Sequence, residues 1–365
     1  MSRTSCSILG TAGVPGAYGG FETLAENLVR YHDGHKSNLE LSVYCSRKLS
    51  EKVKADTFLH AKLRYIPLDA NGPLSILYDA LSLFDAAWRR SDVIVLLGVS
   101  GALALPVVRL VSRSRIITNI DGVEWKRDKW GWFASLILNW SERAAVRWSH
   151  IVIADNTAIA EHVLDTYTTG CHVIPYGGEH ALAAVPESDP ELGLPSEYVL
   201  ALCRIEPENN VAMILDSFAQ ISDRNLVFVG NWDNSAFGRD LRASYSECPN
   251  LYLVDPIYEP GRLRWIRDGA QAYVHGHSAG GTNPSLVEMM YFGILVLAFG
   301  CSFNRYTTED KAIYFNSAEE LVQLFLELKV ESMDEVGVHM KEIAVRRYSW
   351  EKVGRAYFDL CETNT

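Results

Sequence analysis

Short apolar strand patterns alternate with amphipathic helix patterns along almost the whole chain, and this alternation constrains the fold more than any other feature. Runs such as DVIVLLG (92–98) are apolar throughout, as expected for strands buried on both faces of a sheet. Alternating strands and helices predict βαβ units, a parallel sheet with helices on both faces, and a ligand edge at the carboxyl ends of the strands. Strands are predicted in the first half at 5–10, 39–46, 61–68, 92–98, 115–121, 150–155 and 171–177.

The alternation stops at a loop rich in Pro, Ser and acidic residues (179–195) and then starts again. A chain of 365 residues is too long for one typical core. We therefore predict an α/β protein with two doubly wound, Rossmann-like domains that face each other across a cleft. The expected segments are a first domain at 1–174, a second at 175–346, and a last helix at 347–365 that crosses back to the first. Strands of the second domain are predicted at 197–205, 225–231, 250–257, 272–278 and 294–300.

The charges of the chain are unevenly distributed along its length. It carries 34 Lys and Arg against 45 Asp and Glu, a net charge of −11. Residues 1–174 contain 19 basic and 17 acidic side chains (+2), whereas residues 175–365 contain 15 and 28 (−13). The basic groups are too few and too dispersed for a nucleic-acid binder. The first half is the one expected to meet an anionic surface or acceptor.

The cysteines and the apolar runs indicate a cytosolic protein. The seven cysteines are scattered and form no C-x-x-C pair, as is typical of thiols that stay reduced. The longest uncharged apolar run (93–108) has 16 residues and is interrupted by Gly and Pro. A buried strand followed by a helix is therefore expected there, and not a membrane span.

The stretch AYVHGHSAGGTNPSLVEMMYFGILVLAF (272–299) combines two buried strand patterns with a Gly-rich turn and a short helix between them. Asn283 is placed to cap that helix, and Pro284 suits its first position. Backbone N–H groups at such a turn can hold an anion, most often a phosphate. Glu288 lies about one turn into the helix and can bond a group attached to that anion. A sugar nucleotide fits this description.

A second glycine-rich loop, GTAGVPGAYGG (10–20), follows the first strand. Its spacing departs from the dinucleotide pattern G-x-G-x-x-G, and the second strand ends without the acidic residue that would bind a ribose. Two alternatives remain. The loop can be a structural turn, or Gly19 and Gly20 can let the backbone approach a diphosphate or an acceptor sugar.

Four segments, in this order, resemble the GT-B-fold retaining glycosyltransferases of family 4. They are GVPGAYGGFETLAE (13–26), NIDGVEWKRDKW (119–130), CRIEPENN (203–210) and HSAGGTNPSLVEMM (277–290). More narrowly, they resemble the bacterial rhamnosyltransferase-like branch, which builds surface polysaccharides from dTDP-L-rhamnose. The resemblance spans nearly the whole chain and is more specific for the family than for the sugar.

The resemblance implies a role for each matching residue. Arg204 would grip the donor diphosphate, for which a guanidinium is well suited. Glu288 would bind the ribose hydroxyls, or else form only a surface salt bridge. Asp121 would lie beside the acceptor and the reacting carbon, or else cap a turn. The remaining donor contacts would come from the backbone of Gly281, Thr282 and Asn283 and, from the first domain, of Gly19 and Gly20.

Two positions depart from the family pattern. The Glu-x7-Glu signature places its first Glu eight residues before Glu288, where this chain has Gly280. His277 is the nearest candidate to replace its contact with the donor sugar, although it can equally be a hydrogen-bonded core histidine. The family also tends to have a Lys where this chain has Asn209. Arg204 would then neutralise the leaving diphosphate largely alone. Both Asn209 and Gly280 are nevertheless expected among the donor-binding residues.

The implied reaction is sugar transfer with retention, from dTDP-β-L-rhamnose to a lipid-linked saccharide. No carboxylate pair at glycosidase spacing is identifiable, so front-side displacement is the expected mechanism. No D-x-D motif or His/Cys cluster argues for a required metal, and no cofactor beyond the nucleotide sugar is expected. The alternatives are a nucleotide-sugar epimerase of the same fold and a non-catalytic nucleotide-binding protein.

The segment 125–132 interleaves basic side chains with tryptophans. This combination suits the headgroup layer of a membrane, and Arg109, Arg113 and Arg115 add charge in the same domain. We expect a cytoplasmic protein that docks peripherally on the inner face of the cell membrane. Alternatively, the tryptophans pack in the core or stack on acceptor sugar. The residues proposed for membrane or acceptor contact are Trp125, Lys126, Arg127, Lys129 and Trp130.

Overall fold

A computed structural model describes residues 3–16, 19–35, 38–46, 55–120, 122, 125, 131–327 and 330–363. The chain forms two compact units. The first unit consists of Met1–Pro175 and Trp350–Thr365, and the second of Tyr176–Ser349. The last helix of the chain therefore belongs to the unit in which the chain begins.

The described strands form one sheet in each unit. The first sheet has the order β3-β4-β2-β1-β5-β6-β7-β8, and all neighbouring pairs are parallel except β3 with β4. The first-unit strands are β1 (Thr4–Leu9), β2 (Leu39–Ser46), β3 (Thr57–Phe58), β4 (Ala61–Ile66), β5 (Val93–Leu97), β6 (Arg115–Ile120), β7 (Ile151–Ala154) and β8 (His172–Val173).

The second sheet is parallel throughout, with the order β11-β10-β9-β12-β13-β14. Its core strands are almost wholly apolar, which suits a sheet covered by helices on both faces. The fold is thus the predicted α/β arrangement of two doubly wound sheets. The second-unit strands are β9 (Tyr198–Leu202), β10 (Leu226–Val229), β11 (Leu251–Val254), β12 (Ala270–His275), β13 (Leu295–Phe299) and β14 (Ile313–Phe315).

Helices connect most of the successive strands. In the first unit they are α1 (Gly20–His35), α2 (Ser75–Trp88), α3 (Leu105–Val111), α4 (Trp132–Trp148) and α5 (Thr157–Tyr167). In the second unit they are α6 (Val211–Gln220), α7 (Ala236–Ser244), α8 (Pro260–Asp268), α9 (Pro284–Met290), α10 (Ser302–Thr308), α11 (Ala318–Glu327) and α12 (Val330–Arg347), and α13 (Trp350–Glu362) returns to the first unit.

Both sheets reverse their strand order at one point, and this determines where a ligand can enter. In the first unit the order reverses between β1 and β5, and in the second between β9 and β12. The connections on either side of such a point leave in opposite directions, so a crevice opens at the carboxyl ends of the two strands. The loops that follow β9 and β12 are residues 203–210 and 276–283.

Candidate functional site

The loops after β9 and β12 are joined to each other by three hydrogen bonds. Asn210 Nδ2 donates to Gly276 O at 2.8 Å, and the backbone N–H and hydroxyl of Ser278 both donate to Glu208 O, at 3.0 and 2.8 Å. Gly276 has no space for a side chain, since a Cβ there would lie 2.2 Å from Asn209 O. The two loops at the switch point therefore form one tightly fitted structure.

Arg204 lies on the first of these loops, two residues beyond the end of β9. Its side chain is partly exposed, and its Nη1 lies 3.6 Å from Glu206 Oε1. Asn209, one of the expected donor-binding residues, is buried, and its Nδ2 donates to Arg204 O at 2.7 Å. The Asn209 amide thus positions the backbone of Arg204, and Glu206 is an acidic neighbour that the sequence did not single out.

The Gly-Gly-Thr-Asn turn has the local structure predicted for it. Asn283 caps α9, because its Oδ1 accepts from Ser285 N at 3.1 Å and from Ser285 Oγ at 2.8 Å. Pro284 occupies the first helical position, and Thr282 is buried. Gly280 has φ +120°, which other residues rarely adopt, so a glutamate could not be restored at this position without backbone strain.

A series of buried hydrogen bonds connects the side chains of β12 to this turn. Tyr273 Oη donates to Ser285 Oγ at 3.0 Å and lies 3.2 Å from His275 Nδ1. Because Ser285 donates onward to Asn283, we assign the His275 proton to Nδ1. Burial lowers the pKa of His275 to about 3, so the ring is neutral. Its Nε2 has no hydrogen-bond partner within the described part of the chain.

His277, predicted near the donor sugar, stacks on the ring of His275. The ring centroids lie 4.6 Å apart with an angle of 8° between the planes. The His277 carbonyl accepts from Asn304 Nδ2 at 2.9 Å, which fixes the backbone after β12. Tyr273, His275 and His277 follow the two-residue period of one strand face. This two-residue spacing could have identified Tyr273 and His275, which were not singled out from the sequence.

Glu288 is buried in α9 and is in contact with two basic side chains. Arg267 Nη2, from α8, donates to Glu288 Oε2, and His180 Nε2 lies 3.2 Å from Glu288 Oε1. Burial alone would raise the pKa of this carboxyl, but Arg267 and His180 together hold the pKa below its usual value. Glu288 is 8% exposed, so a surface salt bridge, the alternative considered for it, is wrong.

Neither basic partner of Glu288 was found from the sequence. Arg267 is one of three arginines in α8, and only its burial distinguishes it from the other two. His180 lies on the linking segment after the first unit, where no periodic pattern exists. An ionised carboxylate has about four acceptor positions, so Glu288 can still accept from a ligand hydroxyl beside these two contacts.

In the first unit, carboxylates of α1 occupy part of the glycine-rich loop. Glu22 Oε1 accepts from Ala12 N at 2.7 Å, and Glu26 Oε2 accepts from Gly16 N at 2.8 Å. Glu22 Oε2 also fills the space beside Gly19. Arg30 offsets the charge of Glu26, with Nη2 2.7 Å from Glu26 Oε1. Glu22 is therefore the carboxylate that makes the surroundings of Gly19 unfavourable for another anion.

Of the five residues proposed for membrane or acceptor contact, the structure describes Trp125 alone. Its Nε1 donates to the buried Glu142 Oε2 at 3.2 Å, and the other Glu142 oxygen contacts His162 and Tyr167 at 3.0 and 2.7 Å. Trp125 is thus tied to a packed polar network, which favours the alternative that it packs within the protein. Asp121, Lys126, Arg127, Lys129 and Trp130 lie outside the described residues.

Three further features of the described residues bear on function. All seven cysteines are free thiols. No group of three or more His, Cys, Asp or Glu side chains in the described ranges could hold a metal ion. Among the helices described, none is long and apolar enough to cross a membrane.

Comparisons with known proteins add independent information. Residues 3–179 match a family model described as a domain of unknown function (DUF1972). No curated protein matches the sequence.

Solved structures match over nearly the full length. A sucrose-phosphate synthase from Thermosynechococcus elongatus superposes with a TM-score of 0.79 at 15% identity, covering 98% of both chains. An E. coli trehalose-6-phosphate protein bound with UDP-2-fluoro glucose has a TM-score of 0.73 at 9% identity, covering 99% of both. A putative UDP-N-acetylglucosamine 2-epimerase from Listeria monocytogenes has a TM-score of 0.66 at 12% identity, covering 100% of this chain and 98% of its own. With two doubly wound, mostly parallel sheets and these structural relatives, the chain has the GT-B fold.

Proposed function

We propose that the protein is a retaining glycosyltransferase whose second unit binds a nucleotide-sugar donor. The observation that carries this proposal is the switch point between β9 and β12, where the Arg204 loop and the Gly-Gly-Thr-Asn turn are hydrogen-bonded together. Such a point is where open α/β sheets bind ligands. The sucrose-phosphate synthase and the protein bound with UDP-2-fluoro glucose share this fold.

The donor diphosphate would lie between the two joined loops. Arg204 would neutralise its charge, and the backbone N–H groups of Gly281, Thr282 and Asn283 would bind its oxygens. Glu288 would accept hydrogen bonds from the ribose hydroxyls. Arg267 keeps Glu288 ionised in its buried position, which favours its use as an acceptor.

Transfer would proceed by front-side displacement at the sugar carbon. The bond between that carbon and the diphosphate oxygen breaks, while the acceptor oxygen forms a bond on the same face. The acceptor proton moves to the leaving phosphate, whose charge Arg204 and the turn stabilise. Asp121 would lie beside the acceptor, and His277 would contact the donor sugar where the family's first glutamate is replaced by Gly280.

The first unit would hold the acceptor. Glu22 lies against the loop that contains Gly19, so an uncharged acceptor sugar is a better partner for Gly19 and Gly20 than the diphosphate is. Its carboxylate would accept hydrogen bonds from sugar hydroxyls. We propose a lipid-linked saccharide as acceptor, dTDP-β-L-rhamnose as donor, and cell-surface polysaccharide as product. The protein would act in the cytoplasm, peripherally on the inner face of the cell membrane.

Turnover of a panel of nucleotide sugars, with and without a lipid-linked acceptor, tests this function. Transfer that needs acceptor and retains the anomeric configuration supports it. Epimerisation without acceptor would instead favour the alternative that the Listeria monocytogenes structure represents. Nucleotide binding without turnover would indicate a non-catalytic protein. Thermal stabilisation by dTDP over UDP would support the proposed donor.

Arg204 offers the sharpest substitution test of the site. Arg204→Ala should lower kcat/KM about 100-fold or more, because one lost charge-stabilising contact in the transition state has an effect of this size. Arg204→Lys should be intermediate, since it keeps the charge but loses the bidentate fork. Arg224→Ala removes an exposed arginine of the same unit and should leave kcat/KM unchanged. Full activity of Arg204→Ala would overturn the assignment.

A further inference from the structure

Three adjacent helices of the first unit expose a large set of apolar side chains. The helix α3 contacts both α2 and α4. The most exposed members are Trp88, Leu110 and Trp132, at 87%, 85% and 80%. We call this surface the three-helix face, and its apolar members are Leu74, Leu77, Leu81, Phe84, Trp88, Leu103, Val107, Leu110, Val111, Trp132, Phe133, Leu136, Trp140 and Trp148.

The exposed residues follow helical periodicity and are not scattered. In α2, Leu77, Leu81, Phe84 and Trp88 recur every three or four residues and form one stripe. The opposite side of α2 is buried against the sheet, with Tyr78 fully buried. A helix that is apolar on both sides normally has both sides covered. A contiguous apolar surface of this kind marks an interaction site.

Within the described residues of α2, α3 and α4 and the two positions after each helix, arginines outnumber acidic side chains. In α4 the stripe of Trp132, Phe133, Leu136 and Trp140 continues at the same spacing into arginines. The acidic side chains of α2 and α4 do not offset this charge, because Asp79 and Glu142 are buried and Asp85 pairs with Arg89. The chain as a whole has a net charge of −11, so the positive charge of this surface is opposite in sign to that of the whole chain. Apart from Arg89, which Asp85 offsets, the arginines in these helices or in the two positions after them are Arg90, Arg109, Arg113, Arg143 and Arg147.

We propose that the three-helix face docks the protein on an anionic lipid bilayer. Tryptophan is enriched at the membrane interface, and arginine can reach the headgroups while its methylene groups stay in the apolar layer. The face carries four of the nine tryptophans in the chain. The proposal rests on the function proposed above, because a lipid-linked acceptor would require the protein to reach the membrane surface. It assigns docking to three helices, where the sequence had indicated the segment 125–132.

A second copy of the chain is a poorer occupant of this face. A two-fold contact would bring the same surface of both copies together. The arginines of one copy would then lie against those of the other, and like charges across an interface oppose association. An anionic bilayer can contact the apolar side chains with its lipid tails and the arginines with its headgroups.

Co-sedimentation of the full chain with lipid vesicles tests this proposal directly. We expect binding to vesicles that contain phosphatidylglycerol, with much weaker binding to pure phosphatidylcholine and at high salt. Each arginine near an anionic surface strengthens binding about fivefold, so Arg143→Glu with Arg147→Glu should weaken it about 25-fold or more. Trp88→Ser with Trp140→Ser should weaken it at least about tenfold, because apolar insertion is lost. These side chains are exposed, so folding should be retained.

Matched substitutions in the second unit provide the control. Leu326→Ser and Lys311→Glu change an exposed apolar and an exposed basic side chain, and vesicle binding should not change. Equal binding of wild type and the face variants would overturn the proposal. So would a wild-type dimer that Trp140→Ser converts to a monomer without any change in vesicle binding. Thermal stabilisation by dTDP is measured without lipid and tests donor binding alone. Co-sedimentation with vesicles tests docking alone, so the failure of one proposal can be distinguished from the failure of the other.

Discussion

At the scale of single residues, Glu288 carries its charge where water cannot stabilise it. Burial opposes ionisation, and the contacts with Arg267 and His180 overcome that opposition and lower the pKa of the carboxyl. A buried charge pair of this kind contributes little net stability when both partners are present, but removal of one partner exposes the full cost of burying the other. Glu288 therefore depends on Arg267 for both folding and ligand contact.

Arg267→Met should destabilise the protein by about 3 kcal/mol at neutral pH, because it leaves a buried carboxylate without its main partner. In wild type the lowered pKa of Glu288 gives stability that is present above its unfolded pKa, about 4.3, and is lost as pH falls through the lower folded pKa. In the variant burial raises that pKa, so the penalty should shrink in acid. Denaturant unfolding at neutral and acidic pH measures both effects. Arg224→Met, which replaces an exposed arginine of the same unit, is the control, and an equal loss of stability in both variants at both pH values would contradict the explanation.

At the scale of elements, the two loops at the β9/β12 switch point act as one unit. Three hydrogen bonds connect them, and the close approach of Gly276 to Asn209 O leaves no space for adjustment. A change in one loop must therefore displace the other, and with it either Arg204 or the Gly-Gly-Thr-Asn turn. The proposed diphosphate site depends on that fit.

Gly276→Ala should separate the two loops and weaken nucleotide binding. Its Cβ would lie 2.2 Å from Asn209 O, a backbone atom that cannot move by itself. Overpacking of this kind costs about 1–3 kcal/mol, so dTDP affinity should fall about tenfold or more. Calorimetric titration with dTDP measures the loss. Gly170→Ala, with no heavy atom within 4 Å of the added Cβ, is the matched control, and unchanged affinity in Gly276→Ala would contradict the role of the fit.

The elements themselves were largely predictable because their periodicity is local. The apolar period of residues 157–167 predicts a helix, and α5 has the same bounds. Asn156 caps this helix by accepting from Ala158 N. The pattern of residues 209–222 also predicts a helix, but α6 begins two residues later than 209, because Asn210 adopts a left-handed conformation with φ +52°. The three-residue strand β14 is too short to show a period. Pairings such as Arg267 with Glu288 depend on tertiary packing, which no local pattern encodes.

At the scale of the whole molecule, the last helix packs against the unit in which the chain starts. α13 contacts α1, with Phe358 stacked on Tyr31 at 5.6 Å between ring centroids. Asn119 Nδ2 at the end of β6 donates to Tyr357 Oη at 2.6 Å. These buried contacts make residues 350–362 a structural part of the first unit, although the chain reaches them only after completing the second.

Gly354→Val should therefore destabilise the first unit and leave the second unit intact. A Cβ at Gly354 would lie 2.3 Å from Tyr31 Cγ, so α13 must move away from α1. Hydrogen exchange should accelerate in β1 and α1, whereas β10 and β12 keep their protection, because local stability follows the contacts of each unit. Asp359→Ala, exposed on the same helix, should leave exchange unchanged throughout. If Gly354→Val accelerated exchange in both sheets equally, the two units would unfold together. That result would contradict the prediction that each unit has its own local stability.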